Sequence, residues 1–183
     1  MPTAAPPLSP VIVWFRQDLR LADNPALSAA VQSGAPIVPL YILDDATPGD
    51  WRLGGASRWW LHHSLASLAK DLTLAGSRLI LRRGAASAVL DRLLAETGAQ
   101  AVLWNRLYEP WAIGRDRAIK AKLTDAGLRA ESFNGALLFE PWQISSKTKE
   151  PYRVFTPFWR ACLAARPPDH PLPAARQLAA PSQ

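Results

Sequence analysis

Two short segments concentrate the residue types that could do chemistry. The first is Phe15-Arg16-Gln17-Asp18-Leu19-Arg20-Leu21-Ala22-Asp23-Asn24-Pro25, directly after an apolar run. It contains no glycine, so its backbone cannot embrace a pyrophosphate as a G-x-G-x-x-G turn does, and no G-x-x-x-x-G-K-[ST] run occurs anywhere in the chain. Two arginines and two aspartates remain. They could bind a ligand at the carboxyl end of a strand, or satisfy one another and fix the loop. The second segment is Trp104-Asn105-Arg106-Leu107-Tyr108-Glu109-Pro110-Trp111. Asn105 offers a donor and an acceptor, Glu109 an anionic acceptor, and Tyr108 and Trp111 flat faces. Glu109 also precedes a helix-starting proline, so pairing with a helix N-terminus is its alternative role.

Other candidates carry less. His62 and His63 are adjacent, and neighbouring helical residues point about 100° apart, so they cannot easily share a metal ion. Cys162 has no nearby histidine and an apolar context, which argues against a catalytic thiol. With three histidines, one of them His170 near the C-terminus, no Ser-His-Asp arrangement stands out. The eight tryptophans are more unusual. Each has an N–H that wants a partner, and several lie beside loop signals, where they could wall a flat ligand.

The elements that must position these residues alternate between two patterns. Val11–Phe15, Ile37–Leu43, Arg78–Leu81, Ala101–Trp104 and Arg129–Phe133 are short continuous apolar runs, as expected of parallel strands covered on both faces. Helical signals separate them. Asn24 can cap a helix starting at Pro25 and ending at Gly34. Leu61, Leu65, Leu68 and Leu72 share one face of a helix that follows Gly54-Gly55 and stops at Gly76. Val89, Leu90, Leu93 and Leu94 form the next stripe, closed by Gly98. Pro110 opens a helix that carries Ile119 and Leu123 and reaches Gly127. Such alternation predicts an α/β domain with a doubly wound, five-stranded parallel sheet.

That domain is expected over 11–144, after a loose Pro/Ala-rich tail at 1–10 that lacks the basic start of a signal peptide. Beyond it lie a polar loop at 145–150, a short helix near Thr156-Pro157, and a Pro/Ala-rich stretch from Arg166 without apolar period. The whole of 145–183 therefore reads as an interdomain linker or tail. The 183 residues, 49% hydrophobic and 20% charged, are ordinary for one soluble domain. One cysteine and no apolar run near the roughly 20 residues of a membrane span fit a reducing, cytoplasmic setting. The net charge of +6 is spread along the chain, favouring polyanions without forming a block.

Taken together, the motifs resemble one family. The run Val13-Trp14-Phe15-Arg16-Gln17-Asp18-Leu19-Arg20-Leu21-Ala22-Asp23-Asn24-Pro25 is similar to the opening signature of photolyases and cryptochromes. Gly55-Ala56-Ser57-Arg58 leading to His63-Ser64-Leu65, Trp104-Asn105 with Tyr108-Glu109-Pro110, and Tyr152-Arg153-Val154-Phe155-Thr156-Pro157-Phe158-Trp159 agree in order and spacing. The resemblance implies a sheet of order 3-2-1-4-5 that holds a light-harvesting antenna, either methenyltetrahydrofolate or an 8-hydroxy-deazaflavin. Its site would be lined by Phe15, Arg16, Gln17, Trp51, Leu53, Asn105, Tyr108 and Glu109. It also implies a helical FAD-binding domain that this chain does not contain, packing on 152–159. Through that domain a full-length protein would meet damaged DNA and split pyrimidine dimers.

The match has departures. Trp111 and Ala112 stand where folate-binding relatives carry an Asn-Glu pair. Leu107 stands where deazaflavin-binding relatives commonly carry an acid. Folate is the expected antenna, because its pterin ring suits a tryptophan-lined, partly polar cleft. Two other functions stay open at this level: a cryptochrome photoreceptor without repair, and a free-standing nucleotide-binding α/β module. No metal site and no catalytic residue is expected in this chain.

Overall fold

A computed structural model describes residues 8–146 and 148–181; the first seven residues of the expected tail, Lys147 and the last two residues of the expected linker lie outside the described residues. The five apolar runs form one parallel sheet of order β3-β2-β1-β4-β5. Its strands are β1 (Val11–Phe15), β2 (Ile37–Leu43), β3 (Ile80–Arg83), β4 (Ala101–Asn105) and β5 (Arg129–Phe133). Strand β1 is central, with Trp14 in register between Leu40 and Trp104.

Helices α1 (Pro25–Gln32), α2 (Gly55–Leu74), α3 (Ala86–Thr97) and α4 (Pro110–Asp125) cover the sheet in pairs. Because side chains alternate along a strand, β1 feeds two cores at once. Val11, Val13 and Phe15 pack with Ala26, Leu27 and Ala30 of α1 and with Leu68 and Leu72 of α2. Ile12 and Trp14 pack with Val89, Leu90 and Leu93 of α3 and with Ile119 and Leu123 of α4. Each fully buried leucine stabilises the fold by about 1.5–3 kcal/mol relative to exposure.

Local chemistry sets the helix ends. The Asn24 side chain accepts the Leu27 N–H, and Pro25 occupies the first turn of α1. Gly98 closes α3 in the left-handed region at φ 65°, where glycine meets no Cβ penalty. Helix α3 lacks a side-chain cap of its own. Asp44, beyond the end of β2, supplies one by accepting the Ala86 N–H at 3.2 Å.

Strand β3 departs from the sequence expectation. It begins at Ile80 and includes Arg82 and Arg83, two residues later than the apolar run Arg78–Leu81. The pairing of Leu40 with Ile80 fixes this register. As an edge strand, β3 tolerates exposed arginines that hydropathy alone reads as loop, and such charges blunt an open edge.

The chain divides into two compact units, 1–135 with 172–183, and 136–171. In the first unit, the described residues 172–181 form no helix or strand, yet they lie along the domain. Leu178 is buried in the α1/α2 core, its N–H donates to the Ala75 carbonyl at 2.8 Å, and the Ile37 N–H donates to the Ala179 carbonyl at 2.7 Å. The second unit contains the short helix α5 (Phe155–Ala164), which has no buried residue. Among the described residues, no helix is long and apolar enough to cross a membrane.

Candidate functional site

In an open α/β sheet, ligands sit at the carboxyl ends of the strands where strand order reverses. Here that place lies beyond β1 and β4, which are neighbours although two strands separate them in sequence. Both chemically rich segments begin there.

The β1–α1 loop is held largely by its own polar groups. The Arg16 N–H donates to Asp18 Oδ1 at 2.8 Å. The Arg20 guanidinium donates to the carbonyls of Ala22, Asp23 and Gly135. Asn105 locks this loop to β4: its Nδ2 donates to Asp18 Oδ2 at 2.5 Å and to Asn24 Oδ1 at 2.8 Å, while its Oδ1 accepts the Ala26 N–H at 3.1 Å. Asn105 is 3% exposed, so its amide is spent on structure.

Arg16 turns inward. It pairs with Asp116 of α4, which also accepts from Arg115 Nε and Nη2 at 3.0 and 2.8 Å. Both guanidinium groups lie over the buried Trp14 ring, at 5.1 Å for Arg16 and 4.8 Å for Arg115. Arg115 also covers Trp111 at 5.0 Å. Burial pushes Arg16 below its usual pKa, against the pull of Asp116. Nε and Nη2 of Arg16, and Nε1 of Trp104, are buried without a partner among the described residues.

What faces outward is a smaller set. Gln17 Nε2 donates to Glu109 Oε1 at 3.0 Å, so the ends of β1 and β4 are bridged by an amide and a carboxylate. Glu109 stands at the N-cap of α4, but its side chain makes no capping hydrogen bond. That frees its second oxygen to accept from a ligand. Tyr108 is half-buried, with its hydroxyl 3.4 Å from Asn134 Oδ1. Trp51, at the end of a single 3-10 turn after β2, is 80% exposed, and Leu53 beside it is 39% exposed.

Of the eight residues expected to line a site, then, Gln17 and Glu109 touch each other and present polar edges. Trp51, Leu53 and Tyr108 offer accessible surface. Phe15 is wholly buried in the core under α1 and α2, and Arg16 and Asn105 are committed to partners inside the protein. Sequence reasoning missed Arg115 and Asp116. Arg16 and Asp116 are one hundred positions apart, and no local spacing joins them. The His62 and His63 rings lie 5.2 Å apart, and no cluster of three or more metal-ligating side chains occurs among the described residues.

The fold and this loop architecture have known counterparts. The DNA photolyase family model matches residues 11–177. The chain belongs to the DNA photolyase family. Among its relatives in that family, a deoxyribodipyrimidine photo-lyase of Agrobacterium fabrum is 50% identical over 94% of this chain and 36% of its own length. Cryptochrome-2 of Arabidopsis thaliana is 43% identical over 83% of this chain and 25% of its own. The crystal structure of a bacterial class III photolyase from Agrobacterium tumefaciens matches all of this chain and 37% of its own, with a TM-score of 0.92 and 48% identity. The sequence thus spans about a third or less of the length of these photolyase-family relatives, the N-terminal α/β part.

Proposed function

We propose that this chain is the antenna-chromophore domain of a deoxyribodipyrimidine photolyase, and that it binds methenyltetrahydrofolate at the ends of β1 and β4. The observation that carries this reading is the Gln17–Glu109 pair, held at the sheet's switch point with one carboxylate oxygen open. A pterin presents adjacent N–H donors on one edge, which a carboxylate accepts, and carbonyl and ring-nitrogen acceptors, which an amide serves. Trp51 and Tyr108 add flat surface for the ring. The donor set therefore fits the group. An 8-hydroxy-deazaflavin, whose pyrimidine edge is similar, is the other antenna these residues suit.

When bound, such a chromophore absorbs blue or near-ultraviolet light and passes excitation to a flavin. The residues of this chain contribute orientation: Glu109 and Gln17 fix the polar edge, and the Asn105 lock keeps both loops in place. Repair itself belongs to the full-length relatives' further chain, which would hold FAD and meet DNA. That part would pack on 152–159, where Phe155 and Trp159 are 71% and 49% exposed. A cryptochrome photoreceptor is the second reading, favoured by the 43% identity to the Arabidopsis protein.

The test is equilibrium binding of methenyltetrahydrofolate, followed by its absorbance, to the intact chain and to Glu109→Ala and Trp51→Ala. Both variants should weaken binding about tenfold or more while leaving the circular dichroism unchanged. Binding that ignores both substitutions places the chromophore elsewhere. A flavin assay belongs beside it: the chain alone should neither retain FAD nor reverse pyrimidine dimers in light.

A further inference from the structure

Arg16 carries into the interior a charge that the chromophore reading does not use. Its side chain is 5% exposed, and a guanidinium keeps its proton at every physiological pH. A buried cation is costly unless its donors meet acceptors. Strand alternation sets its place. Arg16 follows Trp14 by two residues, so its guanidinium lies over the Trp14 ring, on the side of the sheet that α3 and α4 cover.

That guanidinium is used on one face and at one corner. Its face covers Trp14, and Nη1 donates to Asp116 Oδ2. Nε and Nη2 remain, buried and without a partner among the described residues. Their N–H bonds run parallel along one edge of the group, the edge that takes both oxygens of a carboxylate side-on. The unmet donors therefore form a fork rather than two scattered atoms.

The acids nearby are already divided. Asp116 accepts from Arg16 at Oδ2 and from both Nε and Nη2 of Arg115 at Oδ1. One carboxylate thus serves two guanidinium groups, and one positive charge is left over. Asp18 accepts the Arg16 backbone N–H at Oδ1 and the Asn105 amide at Oδ2. Water answers this need poorly, because a water that accepts from the fork must still place two hydrogens of its own. Among the described residues, the buried side-chain atoms left without a partner are all donors: the fork, and Nε1 of Trp104, which packs against Trp14 on the same side of the sheet. Donors alone, with an excess positive charge, call for an anion.

We infer that the Nε–Nη2 edge of Arg16 binds a small monocarboxylate, of the size of formate or acetate. One negative charge balances the cluster, and two coplanar oxygens match the fork. Arg16, Arg115 and Asp116 have side chains only 5%, 10% and 13% exposed, which closes the site to anything large. The inference stands apart from the antenna assignment, because neither Gln17 nor Glu109 takes part.

The probe is acetate, titrated at constant ionic strength into the intact chain after dialysis into chloride buffer. Nitrogen-edited NMR follows the arginine Nε–H groups, and acetamide, a neutral molecule of the same shape, is the control. The Arg16 Nε–H signal, assigned through its bonds to the Arg16 backbone, should shift and saturate at one acetate per chain. Acetamide should bind at least tenfold more weakly. Thermal melts add a second readout: acetate should raise the midpoint more than an equal concentration of chloride. Arg16→Lys keeps the charge but loses the fork, and it should abolish that difference. An Arg16 Nε–H signal that ignores acetate overturns the proposal, whether or not Arg16→Lys folds. So does equal binding of acetamide, or a shift confined to exposed arginines such as Arg20. Stabilisation by acetate that survives undiminished in Arg16→Lys would likewise overturn it.

Discussion

The Cβ that Gly135 lacks would lie 2.6 Å from Cγ of Asn105. Asn105 cannot move aside, because its amide is bonded to Asp18, Asn24 and Ala26 at once. Gly135 is held too, by the Arg20 guanidinium on its carbonyl. The close approach is therefore built into the junction of β4, the β1–α1 loop and the end of β5.

Gly135→Ala should destabilise the domain by about 1–3 kcal/mol through this overpacking. Gly114 supplies the contrast. It lies inside α4 with open space around its missing Cβ. Gly114→Ala should stabilise by about 0.8–1 kcal/mol, the difference in helix propensity. Urea unfolding of the two variants checks both signs. Equal small effects would show that the Asn105 lock yields at low cost.

The cap that Asp44 lends to α3 predicts an acid dependence. Burial raises the Asp44 pKa, but hydrogen bonds from the Thr47 hydroxyl and from the N–H groups of Thr47, Ala86 and Ala46 outweigh it, leaving the carboxyl below its usual value. A depressed folded pKa stabilises fully above the unfolded value, near about 3.9, and the benefit disappears as pH falls through the folded pKa. Asp44→Ala should cost about 1 kcal/mol at neutral pH, as loss of an N-cap does. The gap between variant and parent should close in acid, below about pH 4. Thermal melts at neutral pH and in acid measure it. A gap that persists in acid would mean that packing, not the carboxylate, does the capping.

How far the sequence reveals this depends on whether a signal is local. The strands, the Asn24 cap, the Gly98 stop and the sheet class all follow from neighbours within a few residues, and the structure repeats them. The strand order rests on the family resemblance rather than on any spacing. Strand β3 shifts because an edge strand need not be apolar. The Arg16–Asp116–Arg115 cluster and the Asn105 lock join residues far apart in sequence, so no spacing rule finds them. The loop's four charges do not simply satisfy one another, as one reading of the sequence allowed: Arg20 and Asp23 approach to 3.9 Å, but Arg16 finds its partner on α4 and Asp18 accepts from Asn105 and the Arg16 backbone N–H.

The stretch after Leu172 shows the same limit. Its proline content hides an apolar anchor, Leu178, which is 4% exposed among Leu68, Leu72 and Ala75. Leu178→Ala should destabilise by about 2–5 kcal/mol, the usual range for a buried leucine. Hydrogen exchange adds a local readout: the amides of Ile37 and Leu178, bonded across this contact, should lose protection together. Unchanged stability would show that the strap rests on the domain without holding it.

Helix α5 carries the last expectation. None of its residues is buried, although Phe155, Phe158, Trp159 and Leu163 recur at helical spacing. Phe155 and Trp159, one turn apart, are nearly parallel, with centroids 6.2 Å from each other and planes 9° apart. A soluble protein rarely leaves such a stripe bare, and exposed apolar patches of this kind drive association. Purified alone, the chain should therefore self-associate as its concentration rises, and sedimentation velocity should show the shift. Replacing Phe155 and Trp159 together by serine should raise the concentration needed for association about tenfold or more, with helix content unchanged. The same pair of substitutions should leave the folate binding proposed for the strand ends unaffected, since Gln17 and Glu109 lie in the other compact unit. A parent chain that stays monomeric at high concentration would show that the aromatic stripe is not sticky in water, and a partner domain would then need some other handle than this helix.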